Sequence, residues 1–111
     1  MIHLDERGNG LCVVKILLKE VNILEITDLK ENIQQAIVEK AINKMVIDLS
    51  NVKFITGKGV GIFLNINQML KSELKLACLN DEIMRVIKLT KVISVIKIYD
   101  SVSDAISDFS D

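Results

Sequence analysis

The sequence has 111 residues, of which 50% are hydrophobic and 26% are charged, and its formal net charge is -1 at pH 7. A chain of this length buries roughly two-thirds of its unfolded surface, so we expect a single domain over residues 1–111. A net charge near zero gives no general attraction for polyanions, which argues against nucleic-acid binding. Because no basic leader or membrane-length apolar run is present, we expect a cytoplasmic protein without direct membrane insertion.

The first part of the chain predicts a β-hairpin followed by a helix. Residues 2–6 alternate apolar and polar, a Gly-Asn-Gly turn follows, and residues 11–18 form a second apolar run. A helix is then predicted to begin at Thr27 or Asp28, with Glu31 as its capping-box partner. Its apolar positions follow helical spacing and comprise Ile26, Leu29, Ile33, Ala36, Ile37 and Ala41.

Short apolar runs alternate with helical segments in the rest of the chain. Residues 44–49 are almost continuously apolar, which is typical of a strand covered on both faces in a mainly parallel sheet. A helix is predicted over residues 57–72, a strand over residues 74–79 and another strand over residues 92–98. Only residues 110–111 are expected to be loose.

Two further helix starts are predicted from capping residues. Asn80 is a suitable N-cap, and Asp81 and Glu82 after it place negative charge in the first turn. Ser101 and Asp104 have capping-box spacing before a last short helix. The apolar residues of these two helices are Ile83, Val86 and Ile87 in the first, and Ala105, Ile106 and Phe109 in the second.

The order of these elements predicts the fold class. Strands and helices that alternate through short connections form an α/β layer, in which the connecting helices cover the sheet. We therefore expect an α/β fold with a mixed, mainly parallel β-sheet, an N-terminal hairpin at one edge and about four α-helices.

Several separated segments resemble the STAS domain family. Residues 46–50 are similar to the strand before the family's switch loop, and Val52 with residues 54–55 occupies its apolar positions. Residues 59–61, Gly-Val-Gly, are similar to the family's Gly-Leu-Gly. Residues 99–106 resemble its final passage from strand to helix. This resemblance implies the STAS-like fold, also called SpoIIaa-like.

The resemblance implies a non-catalytic protein-binding module that needs no cofactor. The anti-sigma factor antagonists of this family bind an anti-sigma factor that is also a serine kinase, and phosphorylation of a switch serine ends that binding. The implied function is partner-switching regulation of transcription. The alternative is an accessory subunit of a membrane transport complex, of the lipid or ABC type, or of a stressosome-like complex. The resemblance leaves the oligomeric state open.

The switch loop departs from the family pattern. The usual Asp-Ser-Ser-Gly is replaced by Thr56-Gly57-Lys58-Gly59, so Lys58 occupies the position of the phosphorylated serine. Lys58 is either a solvent-exposed remnant of a lost switch or a partner for an acidic group on another protein. Thr56 is either an N-cap, with its hydroxyl accepting the N–H of Lys58 or Gly59, or a substitute phosphoacceptor.

The helix after this loop carries more apolar surface than one sheet contact needs. Val60, Phe63, Leu64 and Leu70 form one stripe, and Ile62, Ile66 and Met69 form another. The additional stripe indicates either wide core contact or a partner surface. The residues expected at the partner-binding site are Thr56, Gly57, Lys58, Gly59, Val60, Ile62, Phe63 and Ile66.

No catalytic or metal site is predicted. Cys12 and Cys78 lie far apart within apolar runs, which favours free buried thiols over a disulfide or a metal site. His3 is expected to be structural or solvent-facing, and Asp48 to cap the turn that follows it. Residues 57–59 lack the GxxxxGK[ST] spacing of a nucleotide-binding loop. We therefore expect a protein that is not an enzyme.

Overall fold

Seven strands and five helices follow one another in the computed structural model, which describes residues 1–109. The strands are β1 (Ile2–Gly8), β2 (Leu11–Ile16), β3 (Glu20–Val21), β4 (Lys44–Asp48), β5 (Phe54–Ile55), β6 (Leu74–Ala77) and β7 (Lys97–Tyr99). The helices are α1 (Ile23–Glu39), α2 (Gly57–Met69), α3 (Asp81–Lys88), α4 (Val92–Val95) and α5 (Val102–Ser107). The expectation that residues 110–111 are loose lies outside the described residues.

Five of the strands form one sheet in the order β1-β2-β4-β6-β7. β1 pairs with β2 in antiparallel fashion, whereas the pairs β2–β4, β4–β6 and β6–β7 are all parallel. Gly8 and Gly10 close the hairpin with φ angles of 82° and 78°, which glycine adopts without the steric cost of a side chain. The predicted mixed sheet with an N-terminal hairpin at its edge is confirmed.

The two faces of this sheet bury two separate apolar clusters, because side chains alternate between faces along a strand. On the larger face, Val14 and Ile47 pack with residues of α1, α2 and α3. On the other face, Val46 packs with Ala105 of α5 and with Phe109. This arrangement leaves the N-terminal end of α2 at the surface beside α1.

The N-cap of helix α1 is Asn22, which lies five or six residues before the predicted cap at Thr27 or Asp28. The Asn22 side chain accepts the Leu24 N–H at 3.0 Å, while the Glu25 carboxylate accepts the Asn22 N–H. The prediction combined the apolar stripe with a capping pattern of Thr27 or Asp28 and Glu31, but the first turn of α1 lies before that stripe and exposes Ile23 and Leu24. A capping box therefore set the helix start, and burial did not.

The predicted strand over residues 92–98 is wrong in its first half. Residues 92–95 form the short helix α4, whose end is marked by a hydrogen bond from Ile96 N–H to the Val92 carbonyl at 2.9 Å. The Thr90 hydroxyl accepts the Val92 N–H at 3.2 Å and favours this turn. A short apolar run does not distinguish a buried helical turn from a strand. The helix count in the described residues is accordingly five, against about four expected.

Smaller differences concern element ends and one pair of strands. Helix α2 ends at Met69 and not at residue 72, and β6 ends at Ala77 and not at residue 79. Phe109 follows α5 and does not belong to it. The parallel pair of β3 and β5 was not predicted, because two-residue strands carry no readable periodicity.

Candidate functional site

The turn before α2 is fixed by Thr56. Its hydroxyl oxygen accepts the Gly59 N–H at 3.1 Å, which confirms the predicted N-cap. Its backbone N–H donates to the Val21 carbonyl at 3.0 Å, so the turn is also tied to β3. The short sheet of β3 and β5 therefore holds the loop in one position relative to α1, which follows β3 directly.

Gly59 allows α2 to pack closely on this short sheet. A Cβ atom at Gly59 would lie 2.9 Å from Ile55 Cγ1 and 3.1 Å from the Val21 carbonyl oxygen. In contrast, a Cβ atom at Gly57 or Gly61 would meet no atom within 4 Å. Only one of the three glycines is therefore required by packing.

Lys58 lies exposed in the first turn of α2. This turn contains no acidic residue, and within the described part of the chain Lys58 makes no ion pair. A positive charge beside the positive end of a helix dipole is unfavourable by about 0.3–1 kcal/mol. The loop thus presents a cation for which the described chain supplies no carboxylate.

The expected partner-binding residues divide into an exposed group and a buried group. Thr56, Gly57 and Lys58 are exposed and adjacent at the start of α2. Gly59 is buried against the short sheet. The remaining four, all apolar side chains of α2, lie in the core: Val60, Ile62, Phe63 and Ile66. Their stripes are explained by wide core contact, since α2 packs against α1 and α3 as well as the sheet.

A groove of about 420 Å³ runs between α1 and α2 beside the loop. Ile62, although only 3% exposed, contributes to its lining and so connects the core to this surface. The residues that line the groove are Ile23, Ile26, Thr27, Lys30, Lys58, Gly61, Ile62 and Asn65.

Two exposed apolar residues near the loop were not predicted as site residues. Ile23, at the start of α1, is 68% exposed, and Phe54, two residues before Thr56, is 55% exposed. The capping pattern from Asn22 to Glu25 is the sequence signal that would have placed Ile23 in an exposed first turn. The exposed loop is therefore bordered by apolar surface.

The sequence and the fold correspond to a known family. The sequence model of the STAS domain matches residues 6–105. The chain belongs to the STAS domain family. A protein of Thermotoga maritima, provisionally named an anti-sigma factor antagonist, is 30% identical to this STAS domain over 93 residues, which cover 81% of this chain and 82% of the relative. A homologue from Thermotoga neapolitana with the same provisional name is 29% identical over the same shares of both chains.

Solved structures show the same fold. An anti-sigma factor antagonist from Mycobacterium paratuberculosis superposes on this STAS domain with a TM-score of 0.82 and 24% identity, covering 96% of this chain and 91% of the other. Unphosphorylated SpoIIAA superposes with a TM-score of 0.79 and 15% identity, covering 96% and 94%. These structures show the fold. The sequence relatives make the chain an anti-sigma factor antagonist-like STAS domain, consistent with a partner-switching regulator.

On the opposite sheet face, this STAS domain buries a charged side chain. Lys75 of β6 is fully buried, and its Nζ lies 3.1 Å from Glu73 Oε1 and 3.2 Å from the Tyr99 hydroxyl. The same Nζ lies 4.5 Å from the centroid of the Phe109 ring. The Tyr99 hydroxyl in turn donates to Asp108. Burial and this hydrogen bond raise the pKa of Tyr99 to about 12, and the same bond lowers the pKa of Asp108.

The structure also places the other residues that the sequence analysis considered, namely Asp48, His3, Cys12 and Cys78. Asp48 accepts the N–H of the second residue after it at 2.9 Å, as predicted for a turn cap. His3 is exposed on the edge strand β1. Cys12 is buried and Cys78 half-buried, both as free thiols whose pKa is raised by burial. Within residues 1–109 no three of the His, Cys, Asp and Glu side chains are grouped to hold a metal ion, and no helix is long and apolar enough to cross a membrane.

Proposed function

We propose that this STAS domain is a non-catalytic, cytoplasmic protein-binding module, folded as a single domain, that binds an anti-sigma factor of the serine-kinase type. The observation that carries the proposal is the exposed loop of Thr56, Gly57 and Lys58 at the start of α2. The Val21 carbonyl holds this loop in place by accepting the Thr56 N–H. The names of the relatives support the class of partner. A loop held by hydrogen bonds beside exposed apolar surface is suited to contact with another protein.

We further propose that binding is not ended by phosphorylation at the usual position. Lys58 has no hydroxyl group, and its charge is opposite in sign to that of phosphoserine, which carries about -1.5 to -2 at pH 7. Thr56 is the neighbouring hydroxyl, but its oxygen already accepts the Gly59 N–H as the N-cap. The arrangement favours a module that stays able to bind in the presence of its kinase partner.

The proposal is tested by affinity capture of the tagged protein from cells of its source, with mass spectrometry of whatever is retained in stoichiometric amount. We expect an anti-sigma factor with a kinase domain, retained by wild type and by Lys71→Glu but lost or reduced with Lys58→Glu. Lys71 is the matched control, because it is exposed and lies beyond the C-terminal end of α2. Recovery of a transporter ATPase or of stressosome subunits would contradict the proposed partner.

The absence of a switch is tested with the captured kinase and ATP. We expect the intact protein to show no mass increase of one phosphate group after incubation. We also expect its affinity for the partner to equal that before incubation. A phosphate localised to Thr56, with loss of binding that Thr56→Val prevents, would instead show that Thr56 has taken over the switch.

A further inference from the structure

The groove between α1 and α2 combines an apolar lining with positive charge. Ile26 and Ile62 line it from the two helices, and exposed Ile23 extends the apolar surface at its end. Lys30 of α1 and Lys58 of α2 also line it, one from each helix. Its volume of about 420 Å³ lies within the range of roughly 300–1,000 Å³ seen for ligand pockets and accommodates apolar side chains of a docked segment.

The positive charge of this groove has no internal counterpart. No acidic residue is among those lining it, and neither Lys30 nor Lys58 makes an ion pair with the residues that the structure describes. Glu25, in the first turn of α1, does not line the groove, and its carboxylate accepts the Asn22 N–H in the capping box. The N-terminal end of α2 adds its partial positive charge at the same place.

We propose that this α1/α2 groove binds an acidic amphipathic segment of the protein partner. Apolar side chains of the segment enter the groove over Ile62, and carboxylates beside them pair with Lys30 and Lys58. An amphipathic helix lying in an apolar groove is a recurrent mode of peptide recognition, and charge complementarity selects the acidic kind here. This inference rests on the proposed function, which makes the partner a protein. It adds that the contacting segment of the partner is acidic and amphipathic.

Gly61 offers a way to block the groove without disturbing the core. It lines the groove, and a Cβ atom built on it would meet no atom within 4 Å. The Cβ atom of a leucine at this position therefore meets open space, and because Gly61 lines the groove, we expect the rest of the side chain to fill volume that the segment would occupy. Helix stability is not reduced by the change, because leucine is a better helix former than glycine.

The test is a nuclear magnetic resonance titration of the full chain with two synthetic helical peptides. Both carry leucines at i, i+3, i+4 and i+7; one has glutamates at the flanking positions and the other has lysines. We expect the acidic peptide to shift the backbone amide signals of the groove residues and the basic peptide to leave them unchanged. The double variant Lys30→Glu with Lys58→Glu should weaken the acidic peptide by at least about tenfold, equivalent to about 1.4 kcal/mol.

Two control variants make the result specific. Gly61→Leu should abolish binding while keeping the amide spectrum of the folded protein. Lys71→Glu makes the same charge reversal at one site outside the groove, and it should alter the affinity by less than about twofold. The inference is overturned if both peptides bind alike, if the shifts lie away from α1 and α2, or if neither peptide binds.

The outcome is separable from the proposed function. If capture recovers an anti-sigma factor whose affinity is unchanged by Lys30→Glu with Lys58→Glu and by Gly61→Leu, the groove is not its docking site and Lys58 is not part of the contact, but the proposed class of partner stands. If capture recovers a different class of partner, the peptide titration still decides whether the groove selects acidic segments.

Discussion

The carbonyl oxygen of Val21 lies 3.1 Å from the position that a Cβ atom on Gly59 would take. The same oxygen accepts the Thr56 N–H at 3.0 Å. One backbone group thus fixes the turn before α2 and limits how closely the helix packs on β3. Because Lys58 lies between the two contacting residues, this relationship sets its position at the surface.

Substitutions at two glycines of α2 are expected to have opposite effects on the free energy of unfolding. Gly59→Ala brings a methyl group within 2.9 Å of Ile55 Cγ1, so we expect it to destabilise the protein by about 1–3 kcal/mol. Gly61→Ala meets no atom within 4 Å and removes a flexible residue from a helix interior, so we expect about 0.5–1 kcal/mol of stabilisation. Urea denaturation followed by circular dichroism measures both.

These two variants serve as controls for each other, since both exchange glycine for alanine in the same helix. Equal changes in the free energy of unfolding at Gly59 and Gly61 would show that the close approach to Val21 does not limit the packing of α2.

Loss of the Thr56 hydroxyl is expected to weaken the start of α2. Thr56→Ala removes the acceptor of the Gly59 N–H, and the typical loss for an N-cap is about 0.5–2 kcal/mol. Thr56→Ser keeps the acceptor and should stay close to wild type. The measurement is the midpoint of thermal unfolding, together with hydrogen exchange of the Gly59 amide. If Thr56→Ala leaves that exchange unchanged, the hydroxyl does not cap the helix in solution.

The charge of Lys75 is expected to contribute little to the free energy of unfolding. As long as that charge is present, however, the Glu73 carboxylate is needed to stabilise it. Lys75→Met keeps most of the side-chain volume beneath Phe109 and removes the buried charge, so we expect a change within about 1 kcal/mol. Glu73→Gln leaves the buried ammonium without its carboxylate and should destabilise by about 1–3 kcal/mol.

The double variant completes this cycle. In the Lys75→Met background, Glu73→Gln should have almost no further effect on urea denaturation, because the charge that needs the carboxylate is gone. A large effect of Glu73→Gln in both backgrounds would mean that Glu73 acts through contacts other than Lys75.

The single tyrosine of the chain permits a direct titration of Tyr99. Burial and the hydrogen bond to Asp108 raise the pKa of Tyr99 from 10.0 to about 12. Ultraviolet absorbance should therefore show little phenolate at pH 10.0, the pKa of an unperturbed tyrosine. Asp108→Asn removes the carboxylate and should lower the midpoint partway towards 10.0, since burial remains. A midpoint unaffected by Asp108→Asn would show that the hydrogen bond does not contribute.

The direction of the associated stability change follows from linkage. The folded state holds the phenol proton more tightly than the unfolded chain, so this contribution is complete below about pH 10 and is lost as the pH rises towards about 12. Asp108 contributes at acidic pH. Because its pKa is lowered in the folded state, it adds stability at neutral pH, and this contribution is lost as the pH falls through the folded-state pKa of Asp108.

Local sequence signals predicted the hairpin, the Asn80 cap and a strand over residues 44–49, which the structure has at Lys44–Asp48, because each depends on residues close together in the chain. The start of α1 was misplaced because the capping pattern of Thr27 or Asp28 with Glu31, beside the apolar stripe, was chosen over the capping box of Asn22 and Glu25. The short helix at Val92 was read as a strand because a run of apolar residues fits either structure when its packing partners are unknown.

The sequence by itself determined the alternation of the longer strands and helices, the family and the exchange of the switch serine for Lys58, since these are properties of residue type and spacing. Only the tertiary structure decided which predicted site residues reach solvent. It buried Phe63 and Ile66 in the core, and it brought Lys30 of α1 beside Lys58 of α2. The physical reason is that exposure and charge proximity depend on how separate helices pack, and packing distances are not encoded in local periodicity.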